Sequence, residues 1–489
     1  MSELVIRSRR DITDFINRAP GTARTTIFAV LGLVSVFTDA YDLGSLGIGI
    51  DQMAAEWDLS SFQVGSVSAV IAIGALLSTF LGGYLADRTG RFKVFVIASA
   101  ILVVTPIGSA LAPNFETMLV FRFLMGVGTG LDLPVAFSLM VEFLNTRRKG
   151  TWVNLWQPLS SVATMSGALA ALVVKFAGAE DQLWRWSVGI GAVPVFIVLL
   201  VRLKYAEESP MWAAQHRGLA EAGRIVERVY QVPVRVVPPS GRGAGDDSAA
   251  TDAAPMRKRR RRPRTTDIFR RPFRARTTLA SVIAGTQSLQ YYAIGFYSPV
   301  IAGLLFGDNL NAIVLATVIV HTFALVSGVL QGAITNRMGL WRLATIGYVI
   351  VAVSLLILSA LGDDGWDNMP LLPVLLVGML MFGHAFGPGP QSKTMATLSY
   401  PTEYRSLGSG WAETMGRIGS ILGLFLFPVL LDTVGQSLTM LLLASAPVAA
   451  LIALFCIRWE PIGQDVETGT PEQAPATEPA EPARAHNGG

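Results

Sequence analysis

Twelve stretches of mostly apolar residues run through the chain, separated by short polar segments, and each is close to the roughly 20 residues an α-helix needs to cross a bilayer. They lie near residues 27–49, 63–86, 94–112, 117–140, 153–177 and 186–203, then 278–304, 311–335, 343–361, 370–392, 409–431 and 437–457. Lipid offers backbone N–H and C=O groups no partner, so each stretch must close its own hydrogen bonds as a helix. The predicted fold class is therefore an all-α membrane protein with 12 transmembrane helices. Composition agrees, with 51% hydrophobic and 15% charged residues against about 25% charged in soluble domains. The opening MSELVIRSRRDITDFINRAP is charged and amphipathic, without an apolar run or cleavage site, and reads as a retained helix rather than a signal peptide.

The connections alternate in charge. DQMAAEWDLS, APNFE, FGDNLN and GDDGWDNMP carry no Lys or Arg, whereas DRTGRFK, NTRRKG, MRKRRRRPR and NRMGLWR carry several. Lys and Arg are retained on the cytoplasmic side, so both termini and the middle loop are predicted to be cytoplasmic in a multi-pass plasma-membrane protein. The expected divisions are a cytoplasmic N-terminal segment (1–25), a first six-helix bundle (26–203), a partly disordered cytoplasmic linker (204–276), a second bundle (277–458) and a disordered tail (459–489). Within the linker, Pro238–Pro255 is too polar to fold, while Ser209–Gln231 is predicted to form an amphipathic helix. The net charge of +4 comes largely from RKRRRRPR at Arg257–Arg264. Without interleaved aromatics this run indicates anionic lipid rather than nucleic acid.

The halves repeat. GYLADRTGRFK from Gly83 aligns with GAITNRMGLWR from Gly332, and LMGVGTG aligns with MFGHAFG through Gly126 and Gly383, which also brings Arg148 onto Arg405. A duplicated six-span unit is the layout of a two-bundle transporter that binds its solute near the midplane between rocking halves. One chain supplies both halves, so a monomer is expected to function.

GGYLADRTGRFK resembles the signature loop of the major facilitator superfamily, and RFLMGVGTGLDLPVAFSLMVEF resembles span 4 of its sugar-porter and organic-acid branches. EESPMW resembles the family's post-span-6 motif, with Met211 in place of the usual Arg. YPTEYRSLGSGWAETMGRIGSILG resembles the span 10 to 11 region of aromatic-acid and nicotinate proton symporters. The resemblance covers about residues 25–460 and implies two pseudo-symmetric six-helix bundles. It also implies a cytoplasmic gate of charges that bridge the halves when the inside is shut, here Asp87, Arg88, Arg91, Glu142, Arg148, Glu208, Arg337, Glu403 and Arg405. Asn336 and Leu340 depart from the motif in the second half.

Ionisable residues inside spans are costly, and each is a functional candidate. Asp39 and Asp42 in span 1 are three apart and share a helical face, which predicts two carboxylates beside one cavity. Such a pair does not stay fully ionised in low dielectric, which suits proton uptake. Asp132, just before Pro134 in span 4, is the third proton-coupling candidate, or a hydrogen-bonding partner of a neighbouring helix. Arg122 starts span 4 within snorkelling distance of the outer surface; the family resemblance implies a structural role or one coupled to protonation, with solute contact as the alternative. Arg417 in span 11 either pairs with Glu413 or turns to the cavity, where a guanidinium would bind a carboxylate. The other candidate solute contacts are Gln157 beside Trp156 in span 5, Gln287, Gln290, Tyr291 and Tyr292 in span 7, His321 in span 8, His384 in span 10 and Trp411 in span 11. Packing alone also accounts for any single one of them.

One cysteine and four scattered histidines give no metal or disulfide framework. No G-x-x-x-x-G-K-[ST] loop is present for ATP, and no cofactor or enzymatic constellation is found. The expected function is a proton-coupled secondary transporter of a small organic acid anion, whose partners are the solute, protons and the bilayer. The alternatives are a sugar, polyol or phosphate symporter, a drug exporter, or a solute sensor that does not transport.

Overall fold

Each of the twelve apolar runs has a helix at its centre in the computed structural model, which describes residues 3–145, 152, 155–237, 264–462, 464 and 466. Spans 1 to 5 are Ala23–Trp57, Ser61–Thr89, Arg91–Ala110, Phe115–Phe143 and Trp156–Phe176, and span 6 is built from Leu183–Ile190 and Ala192–Tyr205. In the second half, span 7 runs from Arg274 through a π turn at Tyr291–Gly295 to Phe306. Spans 8 and 9 are Leu310–Met338 and Leu340–Ala360. Span 10 is divided at Gly387 into Leu371–Phe386 and Pro388–Leu398. Spans 11 and 12 form one run, Thr402–Cys456, interrupted only at Gly435, whose φ of 75° and ψ of 176° suit a residue without a Cβ.

Small residues bring the spans close. A Cβ on Gly126 would collide with the Ile71 carbonyl oxygen, so spans 2 and 4 touch backbone to backbone there, and Gly419 does the same for spans 11 and 7 against Gly285. Such contact maximises dispersion where lipid supplies no hydrophobic drive between helices. The two halves meet where span 2 packs on span 11 and span 5 on span 8.

The repeat extends to the loops after spans 2 and 8. Gly90 and Gly339 both have positive φ, at 102° and 81°, and each starts the next span without a capping side chain of its own. A glutamate from a distant segment caps instead. Glu208 accepts the backbone N–H groups of Arg91 at 2.9 Å and Phe92 at 3.3 Å, and Glu460 accepts that of Trp341 at 2.9 Å. A carboxylate there satisfies orphan donors and complements the positive end of the helix.

The N-terminal segment and the first part of the linker form one unit against the first bundle. Leu4–Ile6 (β1) pairs in parallel with Val234–Val236 (β2), in register Leu4 to Val234. Helix Arg9–Arg18 buries Ile12 and Ile16 against Ala222, Ile225, Val226 and Val229 of helix Leu219–Tyr230. The expected amphipathic helix is thus two, Pro210–His216 and Leu219–Tyr230, because Gly218 with φ 92° divides them. Tyr230 donates to the Phe143 carbonyl at 2.8 Å, and its burial pushes the phenol above its ordinary pKa. The polybasic run up to Pro263 and nearly all of the tail lie outside the described residues.

Candidate substrate pathway

A cavity of about 790 Å³ lies between the bundles, lined from spans 1, 4 and 5 on one side and 7, 8, 10 and 11 on the other. It extends to Gln331, Thr335, Thr397 and Ser409, at the end of the molecule that carries the Lys- and Arg-rich connections. The other end is sealed. Leu43, Leu46 and Ile50 of span 1 share a core with Phe296, Tyr297 and Ile301 of span 7 and Phe427 of span 11. Ser61 there donates to Asp432 at 3.0 Å, linking span 2 to span 11.

The first bundle holds two buried ion pairs. Arg122 uses one Nη to reach both oxygens of Asp42, at 2.7 and 2.6 Å, with the guanidinium fully buried. Asp132 is paired with Arg202 of span 6 at 2.6 Å, and Arg202 also donates to Ser35 at 2.7 Å and lies 3.5 Å above the Phe95 ring. Neither pair lines the cavity. The expectation that Asp39 and Asp42 flank one cavity is therefore revised: Asp39 lines it, while Asp42 points to Arg122. Arg122 is not a snorkelling residue, because Asp42 supplies a counter-ion inside the protein.

Gln157, Gln287, Tyr291, Tyr292, His384 and Arg417 line the cavity, together with Trp156 and Glu413. The π turn brings both tyrosines to it; their rings meet edge to face at 5.2 Å, and Tyr291 also stacks on His384 at 4.7 Å. Gln157 is buried with its amide oxygen unpartnered. Arg417 and Glu413 approach only to 3.7 Å, through Nε. Three expected contacts lie elsewhere. Gln290 is fully buried away from the cavity, His321 faces Ser298 of span 7 at 3.4 Å, and Trp411 donates to Ser281 at 2.8 Å beside Phe269.

Among the expected gate charges, Arg91 pairs with Glu142 inside the first bundle, and Glu208 caps span 3. Asp87, Arg88, Arg337 and Glu403 are exposed, Arg405 is half-buried, and Arg88 lies 4.4 Å over the Tyr84 ring. Arg148 falls outside the described residues.

The family model described as Major Facilitator Superfamily matches residues 32–392, well over half of the chain. The chain belongs to the major facilitator superfamily. As a member it is a multi-pass membrane transporter of small metabolites rather than an enzyme. It is 26% identical over 421 residues to a putative metabolite transport protein, YwtG, of Bacillus subtilis, covering 84% of this chain and 87% of that one. It is also 26% identical over 414 residues to the niacin transporter NiaP of Acinetobacter baylyi, with 84% and 88% covered. The xylose transporter XylE of E. coli, in a partially occluded inward open conformation, superposes with a TM-score of 0.71 at 16% identity, covering 91% of this chain and all of that one. These likenesses agree with the two-bundle fold expected from the repeat.

In this facilitator two residues escaped sequence reasoning. Lys393 lines the cavity and Arg202 holds Asp132. Lys393 follows the predicted end of span 10 by one residue, and Arg202 sits next to the predicted end of span 6, so both read as charges at a membrane surface. The signal that would have found them is the length of the helices, which carry on past those boundaries.

Proposed function

We propose that this transporter carries a small organic anion together with a proton across the plasma membrane by alternating access, with the basic end of the bundle cytoplasmic. The observation that carries the reading is the charge set of the cavity: Asp39 from the first bundle faces a space that also holds Glu413, Lys393 and Arg417 from the second. Two charges of each sign balance. An incoming anion leaves one negative charge in excess in a low-dielectric site, and a proton on Asp39 restores neutrality, so anion and proton are expected to load together. Asp42 and Asp132 are each held by an arginine and serve this reading as fixed charges that keep the first bundle in register. Asp87, Arg88, Arg337 and Glu403 stand at the open mouth, where closure would bring the two halves' charges together.

The niacin transporter among the relatives, whose named solute is a ring-bearing acid, supports the anion reading. A sugar is the second reading, favoured by the amide and phenol lining of Gln287, Tyr291 and Tyr292 and by relatives named for D-xylose and glucose. Reconstituted protein under an inward proton gradient tests the proposal. Gradient-driven uptake of benzoate or nicotinate is expected, and Asp39→Asn should abolish the gradient dependence while leaving solute exchange at equilibrium. Uptake of every acid that ignores the gradient, or an Asp39→Asn protein that still follows it, would refute the coupling.

A further inference from the structure

Lys393 is a cavity-lining cation that contacts the opposite bundle. It stands on the short helix Pro388–Leu398, which the break at Gly387 sets off from the rest of span 10. Its ammonium lies 4.6 Å from the centroid of the Trp156 ring, at the start of span 5 in the first bundle. Among the described residues no carboxylate comes within ion-pair distance of it, although Glu413 lies in the field of both Lys393 and Arg417. An ammonium whose mapped contact is an indole face holds a weak partner, and a carboxylate is a stronger one. Next to Trp156, Gln157 lines the same cavity. A cation held across the bundles by an aromatic face, rather than in an ion pair, thus stands on the cavity wall.

Resting on the organic-anion reading above, we propose that Lys393 and Trp156 form the recognition site for the substrate's acid group and ring, which makes the substrate a planar ring-bearing monocarboxylate. On binding, the carboxylate draws the ammonium off the indole, and the exposed indole face takes the substrate's ring. The cation–π contact that spans the two bundles is exchanged for one that runs through the substrate. Lys393 selects for charge and Trp156 for flatness, and a neutral solute of the same shape leaves the cation–π contact in place.

The test uses the full chain in lipid nanodiscs with three probes: benzoate, its neutral isostere benzamide, and cyclohexanecarboxylate, which keeps the charge without the flat ring. The wild type should prefer benzoate over benzamide by about 10- to 100-fold, the range a charge-assisted hydrogen bond supports. Lys393→Met should bring that ratio to near one by weakening benzoate alone, and Lys393→Arg should retain most of it. Trp156→Leu should erase the preference for benzoate over cyclohexanecarboxylate, with Trp156→Phe intermediate. An unchanged melting temperature without ligand establishes that a variant is folded. A Lys393→Met protein that still prefers benzoate over benzamide overturns this inference and leaves the anion reading standing. A wild type that binds none of the acids while xylose or phosphate stabilises it overturns both.

Discussion

Removing either partner of the Asp132–Arg202 pair should destabilise the first bundle far more than removing both. Both side chains are about 2% exposed, and breaking a buried pair by deleting one member costs about 3–5 kcal/mol, because an uncompensated charge remains. The structure divides that range. In Asp132→Asn the guanidinium keeps Ser35 at 2.7 Å, its Ser99 contact and the Phe95 face, so the loss should fall near about 3 kcal/mol. In Arg202→Met the buried carboxylate loses its arginine partner, so the loss should fall toward the upper end, about 5 kcal/mol. The double variant Asp132→Leu with Arg202→Met replaces the pair by apolar groups and should recover most of the stability. A double-mutant cycle in detergent micelles, read by reversible denaturant unfolding, should give a coupling energy of at least about 2 kcal/mol. Single losses below about 1 kcal/mol, or a double variant as unstable as the sum of the singles, would refute the view of a buried, mutually dependent pair. If the double variant remains folded and gradient-driven, Asp132 is relieved of any part in proton movement.

Three further outcomes follow from the geometry. Glu208→Gln and Glu460→Gln should each cost about 1 kcal/mol by weakening the caps of spans 3 and 9, and the two losses should add in a thermal-unfolding series because they lie in different bundles. Gly435→Ala should cost about 1–3 kcal/mol, since a Cβ is strained at φ 75° and ψ 176°, measured as a lowered melting temperature with solute binding retained. Asp11 accepts the N–H groups of Arg7 and Ser8, each at 2.8 Å, and these bonds hold its carboxyl below its ordinary value of 3.8. A lowered carboxyl contributes stability that is complete above the unfolded value and is lost as pH falls through the folded one. At pH 6, therefore, Asp11→Asn should speed amide exchange over Arg9–Arg18 by about threefold, and the difference between variant and wild type should shrink as pH falls below 3.8 and vanish only below the lower, folded value.

The spans were legible because lipid imposes one requirement on every crossing segment, an apolar run of sufficient length, and twelve such runs are plain in the chain. Symmetry was legible for a related reason, since Gly90 and Gly339 share a role that few other residues can fill. Pairings across sequence were not. Nothing local to Asp42 announces Arg122, 80 residues on, so helical spacing alone grouped Asp42 with Asp39 when its true partner lay in another helix. The same limit applies to span 7. Gln287 lines the cavity while Gln290, three residues on, is buried away from it, so helical spacing did not settle the lining, and the π turn that adds Tyr292 has no marker in the composition. Lys393 was missed because the apolar run that marks span 10 stops at residue 392, whereas the helix Pro388–Leu398 runs on past it.

The pairing of β1 with β2 means that residues near the beginning of the chain act as a cover slip over the middle of it. A version beginning at Thr22 would strip the greasy flank from Ile225, Val226 and Val229, and its first symptom should be clumping of the protein rather than a change in turnover. Affinity handles are therefore better placed after Pro461 than ahead of Leu4.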